Sequence, residues 1–365
     1  MIGLAVALDG HGWHPQAWRV ALTHRPDAAP VTSGRHWTPL VQTAERGLLD
    51  FVSFEDTLSP QAGRKPQLSP RRLAGRADAV MVAAHVAPAT RHIGLVPIAT
   101  VTHTEPFHVS KAIATLDFVS RGRGGWQPRV SAAPHEAALF GRRDVTAVDL
   151  FDEAADVVEV VRRLWDSWED DAVIRDVATG RYVDRTKLHY VDFEGRYFSV
   201  KGPSITPRPP QGQPVVAVLA HSLPVYRFAA AAADLVFITP TDDATVASLR
   251  REVSDAGGDH LQVWADIVVS LHGEVPAGDF RSDALIFTGD ADELVALLLR
   301  WQRLGVDGVR LRPAVNDLDL PAIVDDVVPR LQDAGAFRTA YRDGETLRQR
   351  LGLAAAINRY TREGR

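Results

Sequence analysis

The chain has no cysteine among its 365 residues. That absence removes disulfides, thiolate nucleophiles and cysteine-bound metals from consideration. Lysine is almost missing too, confined to Lys65, Lys111, Lys187 and Lys201, so arginine carries nearly all the positive charge. The net charge of -5 leaves no basic surplus for nucleic acid or an anionic membrane. No apolar run approaches the roughly 20 residues that span a bilayer. The start, Met1-Ile-Gly-Leu-Ala-Val-Ala-Leu-Asp9, lacks the basic region of a signal peptide and meets an acid before an apolar core is complete. Neither an internal repeat nor a low-complexity linker interrupts the chain. We therefore expect one soluble, cytoplasmic domain over residues 1–365.

What is present is alternation. Hydrophobic residues make up 45% of the chain, ample for a large core. Short apolar runs at Ile2–Leu8, Phe51–Phe54, Ile93–Ala99, Gly124–Val130, Pro214–Leu219, Leu235–Ile238, Leu261–Ser270 and Gly308–Leu311 read as buried strands. Longer amphipathic stretches lie between them: Trp37–Gly47, Arg71–His85, Pro106–Ser120, Asp149–Trp168, Ala244–Ala256 and Asp290–Leu304. Pro128 weakens the second half of the fourth strand. This is an α/β pattern with a barrel count, although periodicity alone does not separate a closed barrel from an open doubly wound sheet. Asp170–Gln213 breaks the rhythm and predicts a folded excursion without a long helix. The arginine-rich tail after Gly335 reads as helical.

Several motifs follow one another in a set order. They begin with His14-Pro-Gln-Ala-Trp-Arg19, Ala44-Glu-Arg-Gly47, Thr104-Glu-Pro-Phe-His108 and Ser120-Arg-Gly-Arg-Gly-Gly-Trp126. Leu164-Trp-Asp-Ser-Trp168, Gly195-Arg-Tyr-Phe198, Arg208-Pro-Pro-Gln-Gly212 and Leu347-Arg-Gln-Arg-Leu-Gly-Leu353 complete the set. In this order they resemble the flavin monooxygenases that act on nitrilotriacetate, EDTA, dibenzothiophene sulfone and related compounds. Those enzymes are a branch of the bacterial-luciferase-like superfamily. The resemblance implies a (β/α)8 TIM barrel with an insertion around residues 170–213 and a helical C-terminal tail. It implies reduced FMN supplied by a separate flavin reductase, O2 as co-substrate, a small S- or N-containing organic substrate, and no metal. It also implies a homodimer or higher homo-oligomer.

On this resemblance Asp56, in Glu55-Asp56-Thr57 after the second strand, lies beside the flavin ring; a helix cap is the bland alternative. Thr100 and Thr102 offer hydroxyls to the ring edge, or simply cap the helix that starts at Pro106. His103 replaces a usual aromatic and is the candidate for donating to bound oxygen or taking a substrate proton, against a structural role. Gln127 and Ser131 follow the fourth strand as further cofactor contacts. His14, near the end of the first strand, is a candidate pocket residue or a surface one.

The phosphate segment departs from the family. Here Val218-Leu-Ala-His-Ser-Leu-Pro-Val-Tyr-Arg227 keeps Ser222, but Ala220 and Val225 stand where glycines are expected. Tyr226 fills the arginine slot, with Arg227 one place later. Phe151 and Ala147 stand where the family has tyrosine and histidine. Ser222, Arg227 and His221 remain the candidate phosphate ligands. Two other readings stay open on these departures: a noncatalytic barrel serving as a partner subunit, and an oxidoreductase using F420.

Overall fold

Near-continuous apolar runs suit strands that are buried on both faces, and eight of them form here. They are β1 (Gly3–Leu8), β2 (Phe51–Phe54), β3 (Gly94–Thr100), β4 (Gly125–Arg129), β5 (Val215–Leu219), β6 (Leu235–Ile238), β7 (Gln262–Ser270) and β8 (Gly308–Pro313). The computed structural model describes residues 1–59, 69, 71–141, 149–273 and 280–362. Every neighbouring pair is parallel, and β1–β8 together with β6–β7 pairing closes the sheet. This is an eight-stranded parallel barrel, which settles the question of closure. Pro128 stays inside β4, opposite Ala99. Leu285–Thr288, not anticipated from the sequence, adds a parallel strand along the upper half of β7.

The surrounding helices are α1 (Ala17–His24), α2 (Gly34–Arg46), α3 (Ala79–Val86), α4 (Pro106–Val119), α5 (Pro134–Ala138) and α6 (Leu150–Asp166). They continue with α7 (Leu223–Ala232), α8 (Asp243–Asp255), α9 (Ala291–Arg303), α10 (Asn316–Ala322), α11 (Val328–Asp333) and α12 (Leu347–Arg350). α6 shows why these segments are helical. Asp149 caps it by accepting from Phe151 N and Asp152 N, while Val157, Val158, Val161, Leu164 and Trp165 bury one face. α3 begins later than the pattern suggested, because Asp78 caps Met81 N and starts the helix at Ala79.

Strand alternation sorts side chains between the helical shell and the barrel interior. Phe51, Phe237 and Trp264, from β2, β6 and β7, meet inside: Phe51 lies 5.1 Å from Trp264 and 6.2 Å from Phe237. A Cβ on Gly308 would fall 2.5 Å from the Trp264 ring, so glycine there makes room for the indole. The tail corrects the expectation of a helix. Among the described residues after Gly335, only α12 and a turn at Tyr360–Arg362 are helical. Leu347 and Leu351 instead join the Phe51–Trp264 cluster and close the N-terminal end of the barrel. Arg338 and Arg348 pair with Asp50 and Asp234. The excursion holds two short hairpins, Val173–Asp176 with Arg181–Val183 and Phe193–Glu194 with Ser199–Val200, and no long helix.

Candidate active site

Two residues up from the aromatic floor, the same alternation produces a polar layer. Ser53, Gln127, Asp266 and Arg310 are all buried there. Arg310 Nε and Nη2 donate to the Asp266 carboxylate at 2.7 and 2.6 Å. Its Nη1 donates to Gln127 Oε1 at 2.8 Å and to Ser53 Oγ at 3.3 Å, and its guanidinium lies 3.6 Å from the Phe237 ring centre. A guanidinium only donates, so it fixes which end of the Gln127 amide faces it. The Gln127 NH2 group has no hydrogen-bond partner among the described residues.

Two residues further up, the barrel opens into a cavity of about 1100 Å³ at the C-terminal end of the strands. Glu55, Arg129, Leu219, Thr239 and Arg312 line it, each continuing the inward alternation of its strand. Phe151, Val218, Val225 and Phe228 supply apolar lining, and Trp13, Phe280 and Asp283 line the cavity as well. Arg312 donates to Asp266 and, at 2.7 Å, to Asp283, and stacks 4.5 Å from the Trp13 ring. Burial works against its charge, but Asp266 and Asp283 outweigh that and hold the proton more firmly than usual. Burial likewise raises Asp283, and Arg312 and His221 override it, so its carboxyl titrates below the usual range. His221 lies 3.3 Å from Asp283 and 3.2 Å from Thr239 Oγ1.

The rim formed after β2, β3 and β4 behaves differently. Asp56 does not line the cavity: its carboxylate accepts from Ala79 N at 3.0 Å and Thr57 N at 2.7 Å, capping α3. With Thr100 it faces a separate cavity of about 230 Å³ beside α3 and α4. Thr102 Oγ1 accepts from Ser131 N at 2.7 Å, and Ser131 Oγ donates to Glu136. Ser59 and Thr57 hydroxyls also donate to Glu136. Burial raises that acid, yet the three hydroxyls prevail and its pKa lies below the ordinary value. His103 stacks on Phe140 with ring centres 4.6 Å apart. His14 is buried, accepts from Gln16 N at 3.0 Å and packs edge-on against Phe280. It lines a side pocket of about 70 Å³ with Asp9 and His11.

The flavin candidates Asp56, Thr102, Gln127 and Ser222 do not therefore line one cavity together. Of the ten candidates, Gln127 and His221 line the main cavity. Ser222 sits next to His221 as the N-cap of α7, with Oγ making no cap bond, and Arg227 projects from that helix without an ion pair among the described residues. Ala220 and Tyr226 point into the core, and burial pushes the Tyr226 hydroxyl up to about 12. Phe151 and Val225 line the cavity; Ala147 lies outside the described residues. Sequence reasoning missed Asp266, Arg310 and Arg312. Their signal was available: a lone acid in the apolar run of β7, and two arginines at alternate positions of β8, must face a buried partner.

These residues fit a flavin ring. The apolar lining matches a flat heterocycle, and the oriented Gln127 amide offers N–H donors to ring carbonyls. At the start of α7 only the Ser222 and Leu223 N–H groups make no hydrogen bond among the described residues and are open to a phosphate; Val225 N and Tyr226 N donate to Ser222 O.

A family model described as luciferase-like monooxygenase matches residues 18–272. N-acetyl-S-(2-succino)cysteine monooxygenase from Bacillus subtilis (strain 168) is 28% identical, covering 99% of this chain and 98% of its own. Nitrilotriacetate monooxygenase component A from Aminobacter aminovorans is 30% identical, covering 95% of each. Among solved structures, long-chain alkane monooxygenase superposes with a TM-score of 0.80 at 24% identity, covering 96% of this chain and 95% of that one. EDTA monooxygenase from Chelativorans sp. BNC1 also gives 0.80, at 21% identity, covering 97% and 99%.

Proposed function

The chain belongs to the luciferase-like monooxygenase family, and from that premise we propose that it is the oxygenating component of a two-component system. It takes reduced FMN from a separate flavin reductase and uses O2 to oxygenate a small S- or N-containing organic compound in the mouth cavity. The observation that carries this reading is the cavity of about 1100 Å³ lined by a polar, oriented floor and apolar side chains. Sites for drug-sized ligands are typically about 300–1000 Å³, so a cofactor and a substrate fit together. Near full-length similarity to named monooxygenases favours this reading over a silent partner subunit or an F420 enzyme.

When bound, reduced FMN supplies the electrons that activate O2, one oxygen atom passing to substrate and the other leaving as water. The chain's own residues do the rest. Gln127, held by Arg310, donates to ring carbonyls. Phe151, Val218, Val225 and Phe228 exclude water from the reacting face. Ser222, Arg227 and the Ser222 and Leu223 N–H groups would hold the phosphate, with His221 beside them. The whole chain works as a single barrel domain, in a homo-oligomer.

Anaerobic titration with reduced FMN, reduced riboflavin and reduced F420 tests the reading. Saturable binding of reduced FMN well below millimolar, tighter than riboflavin and F420, supports it. No binding of reduced FMN up to millimolar concentration rejects it.

A further inference from the structure

A buried cation of the cavity lining remains after the floor and the α7 turn have been assigned. Arg312 is 2% exposed and lines the cavity, so its five N–H donors call for partners inside the protein or in a ligand. Asp266 takes Nη2, Asp283 takes Nη1, and Trp13 covers one face. Its Nε–H has no partner among the described residues. Leaving a buried donor unmade is costly, and Arg312 lines the cavity, so an oxygen of a cavity ligand would offset that cost.

The charge around it points the same way. Arg72, Arg129, Arg281 and Arg312 line the cavity, against Glu55 and Asp283. Glu55 neutralises Arg129, and Asp266 and Asp283 balance Arg310 and Arg312. Arg72 and Arg281 have no ion pair among the described residues. The mouth therefore carries a cationic excess that draws an anion toward the floor. Arg312 rises from β8 against Trp13, and Asp283 links it to His221, the residue before the α7 turn, which it approaches to 3.3 Å.

Resting on the flavin reading above, we propose that Arg312 is a specificity-determining residue, and that its Nε–H holds an oxyanion of the substrate, a carboxylate or sulfonate. The substrate is then an organic acid, and uncharged sulfides, amines or alkanes of the same size are poor ligands. Asp283 competes with that oxyanion for the same guanidinium, so it tunes the affinity rather than creating it.

The test uses succinate and methanesulfonate as probes, with succinamide as the uncharged match, titrated calorimetrically into the full chain with and without saturating FMN. The expected result is saturable succinate binding that survives FMN, with succinamide at least about tenfold weaker. Arg312→Gln weakens succinate about tenfold, the loss expected for one charge-assisted hydrogen bond. Because that variant disturbs a buried ion array, Asp283→Asn is the companion: its carboxylate is partly exposed, and removing it frees Nη1 and tightens succinate severalfold. The proposal is overturned if succinamide binds as well as succinate, or if neither variant shifts succinate. It is also overturned if FMN displaces succinate competitively, which would make the acceptor the cofactor's phosphate. Failure of FMN to bind at all would sink the flavin reading while the flavin-free arm still decides the role of Arg312.

Discussion

The two rims of one barrel mouth treat their polar residues in opposite ways. On the β7–β8 side, alternation runs unbroken from Trp264 to Asp266 and from Gly308 to Arg310 and Arg312, and delivers charge into the cavity. On the β2–β4 side, Asp56, Thr102, Ser131 and Glu136 spend their oxygens on neighbouring N–H and hydroxyl groups, holding their own loops in place. A residue just past the end of a barrel strand is therefore only a candidate. Whether it reaches the ligand depends on whether the loop consumes it first.

That contrast can be broken experimentally. The largest effect belongs to Asp266→Ala, which strands Arg310 and Arg312 without their shared counter-ion; breaking a buried pair this way costs about 3–5 kcal/mol. Urea unfolding should show most of the stability gone, and a loss below about 1 kcal/mol would mean the floor array is not structural.

Asp9 stands at the seam between the rims, and burial, only partly offset by Arg76, pushes its carboxyl up to about 6. An acid whose folded pKa is raised favours the native state while protonated, so this contribution is full below about 4 and is lost as pH rises through about 6. Wild type should gain on Asp9→Asn by at most about 3 kcal/mol as pH falls across that window. A flat difference between pH 4 and 6 would show that Asp9 does not titrate there.

Glu136→Gln should cost about 2 kcal/mol through weakened hydroxyl bonds, with reduced-FMN affinity unchanged. A tenfold change in that affinity at unaltered stability would move the cofactor to the other rim. The smallest effect is expected from Asp56→Asn, under about 1 kcal/mol, since one acceptor remains for the start of α3. Thermal unfolding and a flavin titration together would expose any larger role.

The barrel was legible because its strands are uniformly apolar: β2 and β6 fall where their runs predicted, Phe51–Phe54 and Leu235–Ile238. The tail misled because its arginines look helical on a wheel but are used on Asp50 and Asp234 across the chain. Among the residues lining the cavity, Gln127 and His221 were recoverable by position. Asp56 and Ser131 were not, since capping and loop closure use the same residue types as ligand binding. Arg310 and Arg312 were legible in principle, from charge at period two inside a buried strand, but no family motif drew attention to them.

The central claim is that reduced flavin occupies the cavity between β4, β5, β6 and β8. Val225 lines that cavity from the first turn of α7, so Val225→Trp fills it without touching the floor. The most direct measurement is an anaerobic reduced-FMN titration of wild type beside this variant, with the far-UV spectrum and Tm of both in hand. The account predicts saturable binding to wild type below millimolar and a loss of at least about tenfold in an equally folded variant. Equal affinity in the two proteins, or none in wild type, would contradict it.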